Sequence, residues 1–241
     1  MSIKKTTLIT GASGEIGKEI ALQLASEGHQ LWLHYHQNHA AIEKLKQQLT
    51  AEQVLGIIQA DLSTPVGLDT FVQECPENIS HYIHTSGQSY VGLFQDMSDA
   101  QMDQMLQLHV KAPWKIAQQL IPSMIQAKHG RIVLISSIWG EIGASCEVAY
   151  SSVKGAQNSF VKALAKELGP SQIYVNGVCP GLINTKMNHH LTEKDKQTLQ
   201  EEIPLQRTGL PQDVAGAVGF LCQESTRYIQ GEQIRVDGGW H

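Results

Sequence analysis

The chain has 241 residues, with 18 basic against 23 acidic side chains for a net charge of −5. That length accommodates one large α/β domain or two small ones with a sizeable core. The mild acidic balance, without long like-charge runs, argues against a general nucleic-acid binder and predicts a soluble protein.

No apolar run is long enough to span a bilayer, and Met1-Ser2-Ile3-Lys4-Lys5 leads straight toward a strand with no signal-peptide core. Cys75, Cys146, Cys179 and Cys222 are dispersed, with no CxxC, which fits free thiols in a reducing compartment. A cytoplasmic protein with no membrane partner is expected.

Thr6–Thr10 reads as a short buried strand that stops in Gly11-Ala12-Ser13-Gly14-Glu15-Ile16-Gly17. A helix with apolar periodicity follows, to Gly28. Strand, glycine turn and helix together make a phosphate-binding context: the backbone can approach a pyrophosphate, and the helix N-terminus offers free N–H donors.

Gln30–Tyr35 is a second strand. At its C-terminal end, where an acid would hold the ribose of NAD, stand Tyr35, His36, Gln37 and Asn38. The missing acid favours NADP(H) over NAD(H), although no Arg is present to clamp a 2′-phosphate. His34, His36 and His39 lack a Cys or Asp to complete a ligand set, so a polar strand end is preferred to a metal site.

A helix at about 40–50 leads to a strand at 53–60 and then Asp61-Leu62. Asp61 could bond an adenine amino group or serve as a turn or cap residue. A helix (65–75) and a strand (80–84) run into Thr85-Ser86-Gly87. Ser98 and Asp99 cap a long amphipathic helix that Pro113 must kink or divide.

Arg131–Ile135 is a near-continuous apolar strand, as in a sheet covered on both faces, ending at Ser136-Ser137. The next helix carries Tyr150 and Lys154, four apart and so on one face. An ammonium held there would depress the phenol's ordinary pKa of about 10 and make it a usable general acid/base. Ser137 could hold a carbonyl oxygen against that phenol; a buried tyrosine with a solvated lysine is the plain alternative.

A strand at 173–178 ends in Cys179-Pro180-Gly181. The polar stretch 184–203, with a helical part after Thr192, is read as a lid rather than a surface excursion. A helix from Pro211 to Cys222 and a strand at 233–236 close the chain. Seven strands alternating with helices imply one doubly wound Rossmann-type domain over residues 1–241, its parallel sheet covered on both faces.

Thr10-Gly11…Gly17, Asp61-Leu62, Gly87, Ser137, Tyr150-x-x-x-Lys154, Pro180-Gly181-x-Ile183-x-Thr185 and Asp237-Gly238-Gly239 resemble the motifs of the short-chain dehydrogenase/reductase family. The resemblance covers essentially the whole chain, and residues 204–240 are most similar to bacterial 3-oxoacyl-[acyl-carrier-protein] reductases. It implies that Tyr150 protonates a carbonyl oxygen that Ser137 positions, while Lys154 lowers the phenol's pKa and binds the nicotinamide ribose. It further implies that Ile183 and Thr185 hold the carboxamide and that Asp61 contacts adenine. The Gly11–Gly17 turn, with Ser13, Glu15 and Ile16, would carry the pyrophosphate. Tyr35, Leu62, Ser86, Gly87 and Pro180 would complete the cofactor contacts. A homotetramer built on the last strand and the long helices is implied as well.

The chain departs from the family at several places. Glu15 stands where glycine is usual, and as an acid near phosphate it must point outward. Gly14 stands where NADP-dependent reductases often carry Arg. The usual Asn-Asn-Ala-Gly reads His84-Thr85-Ser86-Gly87. The catalytic asparagine aligns with His109, whose ring nitrogen could link Lys154 to water; a merely helix-facing histidine is the other reading. Lys128 sits where carrier-protein reductases place a docking base, and Ser171 where some have Arg.

The resulting expectation is an NADP(H)-dependent ketoreductase acting on a 3-oxoacyl thioester in fatty acid biosynthesis, with acyl carrier protein a candidate partner. A reductase of another small ketone, steroid or sugar and a catalytically weak dinucleotide sensor are the alternatives.

Overall fold

Alternation along the strands decides the two layers. In the computed structural model, which describes residues 5–188 and 191–241, Leu8, Tyr82, Ile132 and Val175 face one hydrophobic core. Ile9, Ile83 and Val133, each one position on, and Val178, three positions on, face another. These residues belong to strands β1 (Thr6–Thr10), β4 (His81–His84), β5 (Gly130–Ile135) and β6 (Ile173–Pro180). With β2 (Gln30–Tyr35), β3 (Val54–Gln59) and β7 (Gln233–Val236) they form one sheet, ordered β3-β2-β1-β4-β5-β6-β7. All six pairings are parallel. A period of two sends successive side chains to opposite faces, so a doubly covered sheet needs apolar residues at both.

Helices α1 (Glu15–Ser26), α2 (His39–Lys46) and α9 (Pro211–Leu221) cover one face through Ile20, Leu24, Ile42, Leu45, Val214 and Val218. Helices α3 (Pro65–Glu74), α5 (Ala112–Ala127) and α7 (Val148–Leu168) cover the other through Phe71, Ile116, Leu120 and Val161. The chain also forms α4 (Asp99–Leu106), a short α6 (Trp139–Ile142) that hydrophobic periodicity does not announce, and α8 (Glu193–Glu202). The helix expected at about 40–50 already ends at Lys46. His189 and His190 of the expected lid, and residues 1–4, lie outside the described residues. Among the described residues no helix is long and apolar enough to cross a membrane.

Pro113 does interrupt its helix, in a defined way. Helix α4 passes into a π-helical turn, Gln107–Lys111, before α5 begins at Ala112. The wider turn accommodates a residue that cannot donate to the carbonyl four positions back.

Arg131, at the start of an otherwise apolar strand, is buried. Its Nη1 donates to the Leu221 carbonyl at the C-terminus of α9 at 3.0 Å, where a cation is favourable. Neighbouring strands diverge in chain order between β1 and β4. Their C-terminal ends, at Gly11 and Thr85, therefore open the crevice in which such sheets bind ligands.

Candidate active site

The glycine turn is fixed by contacts that leave no room for side chains. Gly11 has φ +71°, and a Cβ on Gly17 would lie 2.3 Å from the Gly11 carbonyl oxygen. Helix α1 begins at Gly14 with no side-chain cap, so its first N–H groups keep the unsatisfied donors that suit an anion. His34 braces the turn: its Nδ1 accepts from Gly11 N at 3.1 Å and its Nε2 donates to the Ala60 carbonyl at 3.0 Å. This arrangement requires a neutral ring, and burial agrees by pulling the His34 pKa down to about 4.

Two hollows meet at Thr85 and Gly87. The first, about 370 Å³, is lined by Gly11, Ser13, His36, Asp61, Leu62 and Ser86 among others. The second, about 120 Å³, is lined by Ile16, Ser137, Tyr150, Lys154, Ile183 and Thr185, with Pro180 at its edge. A larger hollow of about 590 Å³ beside Arg207 and Arg235 shares no lining residue with the second and holds none of these groups. Most residues singled out in the sequence thus converge on one continuous crevice across the switch point.

Three do not line it. Tyr35 is buried among the side chains between the sheet and α1, with its hydroxyl donating to Gln59 Oε1 at 3.0 Å. The strand period points it into the core, and His36, Gln37 and Asn38 reach the crevice instead. Glu15 does not simply point outward: its Oε2 accepts from the backbone N of Lys186 at 2.7 Å, tying the glycine turn to the segment after β6. His109 is fully buried beneath Gly87, whose added Cβ would lie 2.9 Å from the imidazole Cε1.

The His109 ring makes no direct hydrogen bond to Lys154, and its buried Nδ1 has no protein partner among the described residues. His109 Nε2 faces the Gln88 backbone, 2.9 Å from its carbonyl oxygen, and the ring stands edge-on to Tyr150 with centroids 5.7 Å apart. The connection to Lys154 runs through Gln157, whose Nε2 donates to the His109 carbonyl at 2.8 Å. Lys154 Nζ donates to Gln157 Oε1 at 3.1 Å and to the Ile135 carbonyl at 2.8 Å.

Asp61 serves its turn visibly. It accepts from Ser63 N at 2.9 Å and Ser63 Oγ at 2.6 Å, with His36 Nε2 at 3.6 Å. Burial pushes its carboxyl up, but the two Ser63 bonds and His36 together hold it below the usual value.

Tyr150 and Lys154 lie on one buried face of α7, with Nζ 5.5 Å from the phenol ring centroid. Ser137, at the end of β5, hydrogen-bonds the phenol, and its Oγ accepts from Trp139 N at 3.2 Å. Burial pushes the Tyr150 phenol well above its ordinary value, the Glu147 carboxylate pushes the same way, and the Ser137 bond opposes them. Burial also pulls the Lys154 ammonium down to about 7. The expectation that the lysine simply depresses the phenol is therefore corrected. In a site this dry burial works against the charge on both groups: Tyr150 keeps its proton at neutral pH, while Lys154 titrates near neutrality and needs its hydrogen-bond acceptors to stay charged.

Sequence reasoning missed Gln157 and Trp139, and it named His34 only as part of a polar strand end, not as a brace of the glycine turn. Gln157 carried a usable signal, since it is a polar side chain on the stripe Tyr150, Val153, Lys154, Val161 that α7 buries. Trp139 and His34 carried none beyond burial in context. Among the described residues no group of His, Cys, Asp and Glu is arranged to hold a metal.

A family model described as Enoyl-(Acyl carrier protein) reductase matches residues 11–241. The chain belongs to the short-chain dehydrogenase/reductase family. It is 47% identical over 243 residues to the Uncharacterized oxidoreductase YmfI of Bacillus subtilis (strain 168), covering 99% of this chain and 100% of that one. It is 34% identical over 245 residues to the 3-oxoacyl-[acyl-carrier-protein] reductase FabG of Aquifex aeolicus (strain VF5), covering 98% and 96% of the two chains. Among solved structures it resembles YwfH, an NADPH-dependent reductase involved in bacilysin biosynthesis (TM-score 0.90, 25% identity, 99% of each chain). It also resembles the angucycline C-6 ketoreductase LanV with bound NADP (TM-score 0.90, 26% identity, 98% and 95%). As a short-chain dehydrogenase/reductase this protein is an oxidoreductase.

Proposed function

We propose that this oxidoreductase reduces a ketone to an alcohol with NADPH, and that a 3-oxoacyl thioester is its substrate class. The observation that carries the reading is the shared crevice: the Ser137–Tyr150 pair opens into the same cleft as the uncapped start of α1. The donor set fits a dinucleotide. A pyrophosphate suits the tight Gly11–Gly17 turn, where a Cβ on Gly11 or Gly17 would collide with Thr85 or the turn's own backbone, and Ile183 and Thr185, which line the same hollow as Tyr150, would hold a carboxamide. When bound, NADPH supplies the hydride.

The chain's own residues supply the proton and the orientation. Ser137 Oγ accepts from Trp139 N, and its one hydrogen, given to the phenol in the free protein, would turn to a carbonyl oxygen when substrate binds. Tyr150, protonated at neutral pH, is the donor to that oxygen. Lys154 uses two of its three N–H bonds within the protein, leaving one for a ribose hydroxyl.

NADP rather than NAD is supported by the absence of an acid among Tyr35–Asn38 and by the two NADP(H)-linked structural relatives. The 184–203 stretch is read as a lid: Leu191 and Leu199 join Trp139 and Trp240 around a hollow of about 410 Å³ beside the crevice. A homotetramer is supported by the exposed edge of β7 and by Trp114, which is 44% exposed on the outer face of α5. Exposed Lys128, at the C-terminal cap of α5, remains the candidate base for a carrier protein.

The test is NADPH oxidation with an acetoacetyl thioester, wild type against Tyr150→Phe. Loss of the acid should lower kcat by about 10²–10⁴-fold. Equal rates would remove the proposed chemistry.

A further inference from the structure

We propose that Gln157 is a positioning residue for this reaction: its side-chain amide bridges the Lys154 ammonium to the backbone of the π-helical turn and holds Lys154 charged beside Tyr150.

Three observations converge on it. First, the acceptor on the far side exists because of Pro113. In an α-helix the carbonyl of residue 109 receives the N–H of residue 113, and proline has none. The Gln107–Lys111 turn leaves the His109 carbonyl facing α7, where Gln157 Nε2 donates to it at 2.8 Å. Second, the amide has one possible orientation. An ammonium only donates and a carbonyl only accepts, so Oε1 must face Lys154, at 3.1 Å, and Nε2 must face His109. Third, Gln157 is 1% exposed, and an apolar residue there would strand a buried carbonyl and one buried ammonium N–H together.

Nothing else near Lys154 can replace the amide. The titratable groups facing it are Tyr150 on its own helix, Cys179 on β6, His84 at the end of β4 and His109 in the π turn. Burial keeps both histidines neutral and pushes the Cys179 thiol to about 12, so none supplies a counter-charge at neutral pH. His109 Nε2 is engaged by the Gln88 backbone, and its buried Nδ1 makes no hydrogen bond to Lys154. Against burial, the charge on Lys154 is held by two oxygens, those of Ile135 and Gln157.

The decisive measurement is the titration of Lys154 followed by NMR in protein labelled with ¹³C at lysine Cε, with Lys154→Met identifying the signal. Gln157→Met should lower the Lys154 midpoint by about one pH unit, the order expected for losing one hydrogen bond to a charged group. Gln157→Glu, which sets a carboxylate against the ammonium, should raise it. Gln157→Asn, one methylene too short to reach both partners, should shift it downward and keeps the test available if the methionine variant does not fold. Opposite shifts from Met and Glu are not expected of a residue that only fills space. An unchanged midpoint in all variants, or the same shift from Met and Glu, overturns the proposal.

The kinetic consequence rests on the reductase reading. The limb of the kcat–pH profile that reports loss of the Lys154 charge should move with the NMR midpoint, while the dissociation constant for NADPH stays within about threefold. A wild type that turns over no carbonyl yet shows the opposite Lys154 shifts would sink the reductase reading and leave the bridge standing.

Discussion

Acidification from pH 7 to pH 5 should destabilise this protein well before its carboxylates titrate. Burial pulls the pKa of His29 to about 4, of His34 to about 4 and of His84 to about 3. In the unfolded chain each histidine returns to about 6.5. The native state therefore binds fewer protons than the unfolded state throughout this window, and stability must fall as pH falls. At pH 5 each unfolded imidazole is almost fully protonated while its folded counterpart is almost neutral, which costs about 2 kcal/mol per histidine. The three together cost about 6 kcal/mol, comparable with the whole stability of a typical domain, and residual structure in the unfolded chain makes this an upper figure. The surroundings explain why the rings resist protonation. His34 must accept from Gly11 N, His29 sits edge-on to His81 with centroids 4.8 Å apart, and the Lys5 and Arg131 charges lie near His29. Urea denaturation at pH 7, 6 and 5 reads the effect as a falling midpoint at constant m-value. His29→Gln should lose some stability at pH 7, but its pH slope between pH 7 and 5 should be shallower by about 1 kcal/mol per unit on average, that histidine's share of the loss. A wild-type midpoint that is flat from pH 7 to 5, or a His29→Gln slope equal to the wild-type slope, would refute the reasoning.

Other substitutions have defined outcomes. Gly17→Ala sets a methyl 2.3 Å from the Gly11 carbonyl oxygen, against backbone that cannot yield cheaply. It should weaken NADPH binding at least about tenfold in a fluorescence titration, more than one kcal/mol of turn distortion. Glu15→Gly removes an acid from the first turn of α1; NADPH should bind about two- to fivefold tighter, as the charge–dipole effect predicts, and weaker binding would mean that the Lys186 tether matters more. Arg131→Met removes the guanidinium that donates to the Leu221 carbonyl and to Thr226 Oγ1. A loss of about 1–3 kcal/mol by chemical denaturation is expected from acceptors left buried, with NADPH affinity unchanged.

The architecture was legible because apolar side chains recur with a period of two in strands and the glycine turns punctuate them. Both signals are local, and the pairing of Leu8 with one core and Ile9 with the other follows from them directly. The crevice was legible for a similar reason: Gly11, Asp61, Gly87, Ser137 and Pro180 all stand at or just after strand C-termini, and a parallel sheet gathers those ends at one edge. Tyr35 was misread because it ends its strand on the buried side, a one-residue matter of phase.

What the chain determined by itself was which side chains share a face and where the backbone must turn, since these depend on neighbours a few residues away. Only the folded molecule decided the state of those side chains. The proton on Tyr150, the weakened charge on Lys154 and the neutrality of His34 come from water being excluded by residues distant in sequence. The same holds for the partnership of Gln157 with a carbonyl 48 positions away, freed by a proline in another helix. Dehydration and long-range donor–acceptor matching are properties of packing, and no window along a linear chain contains them.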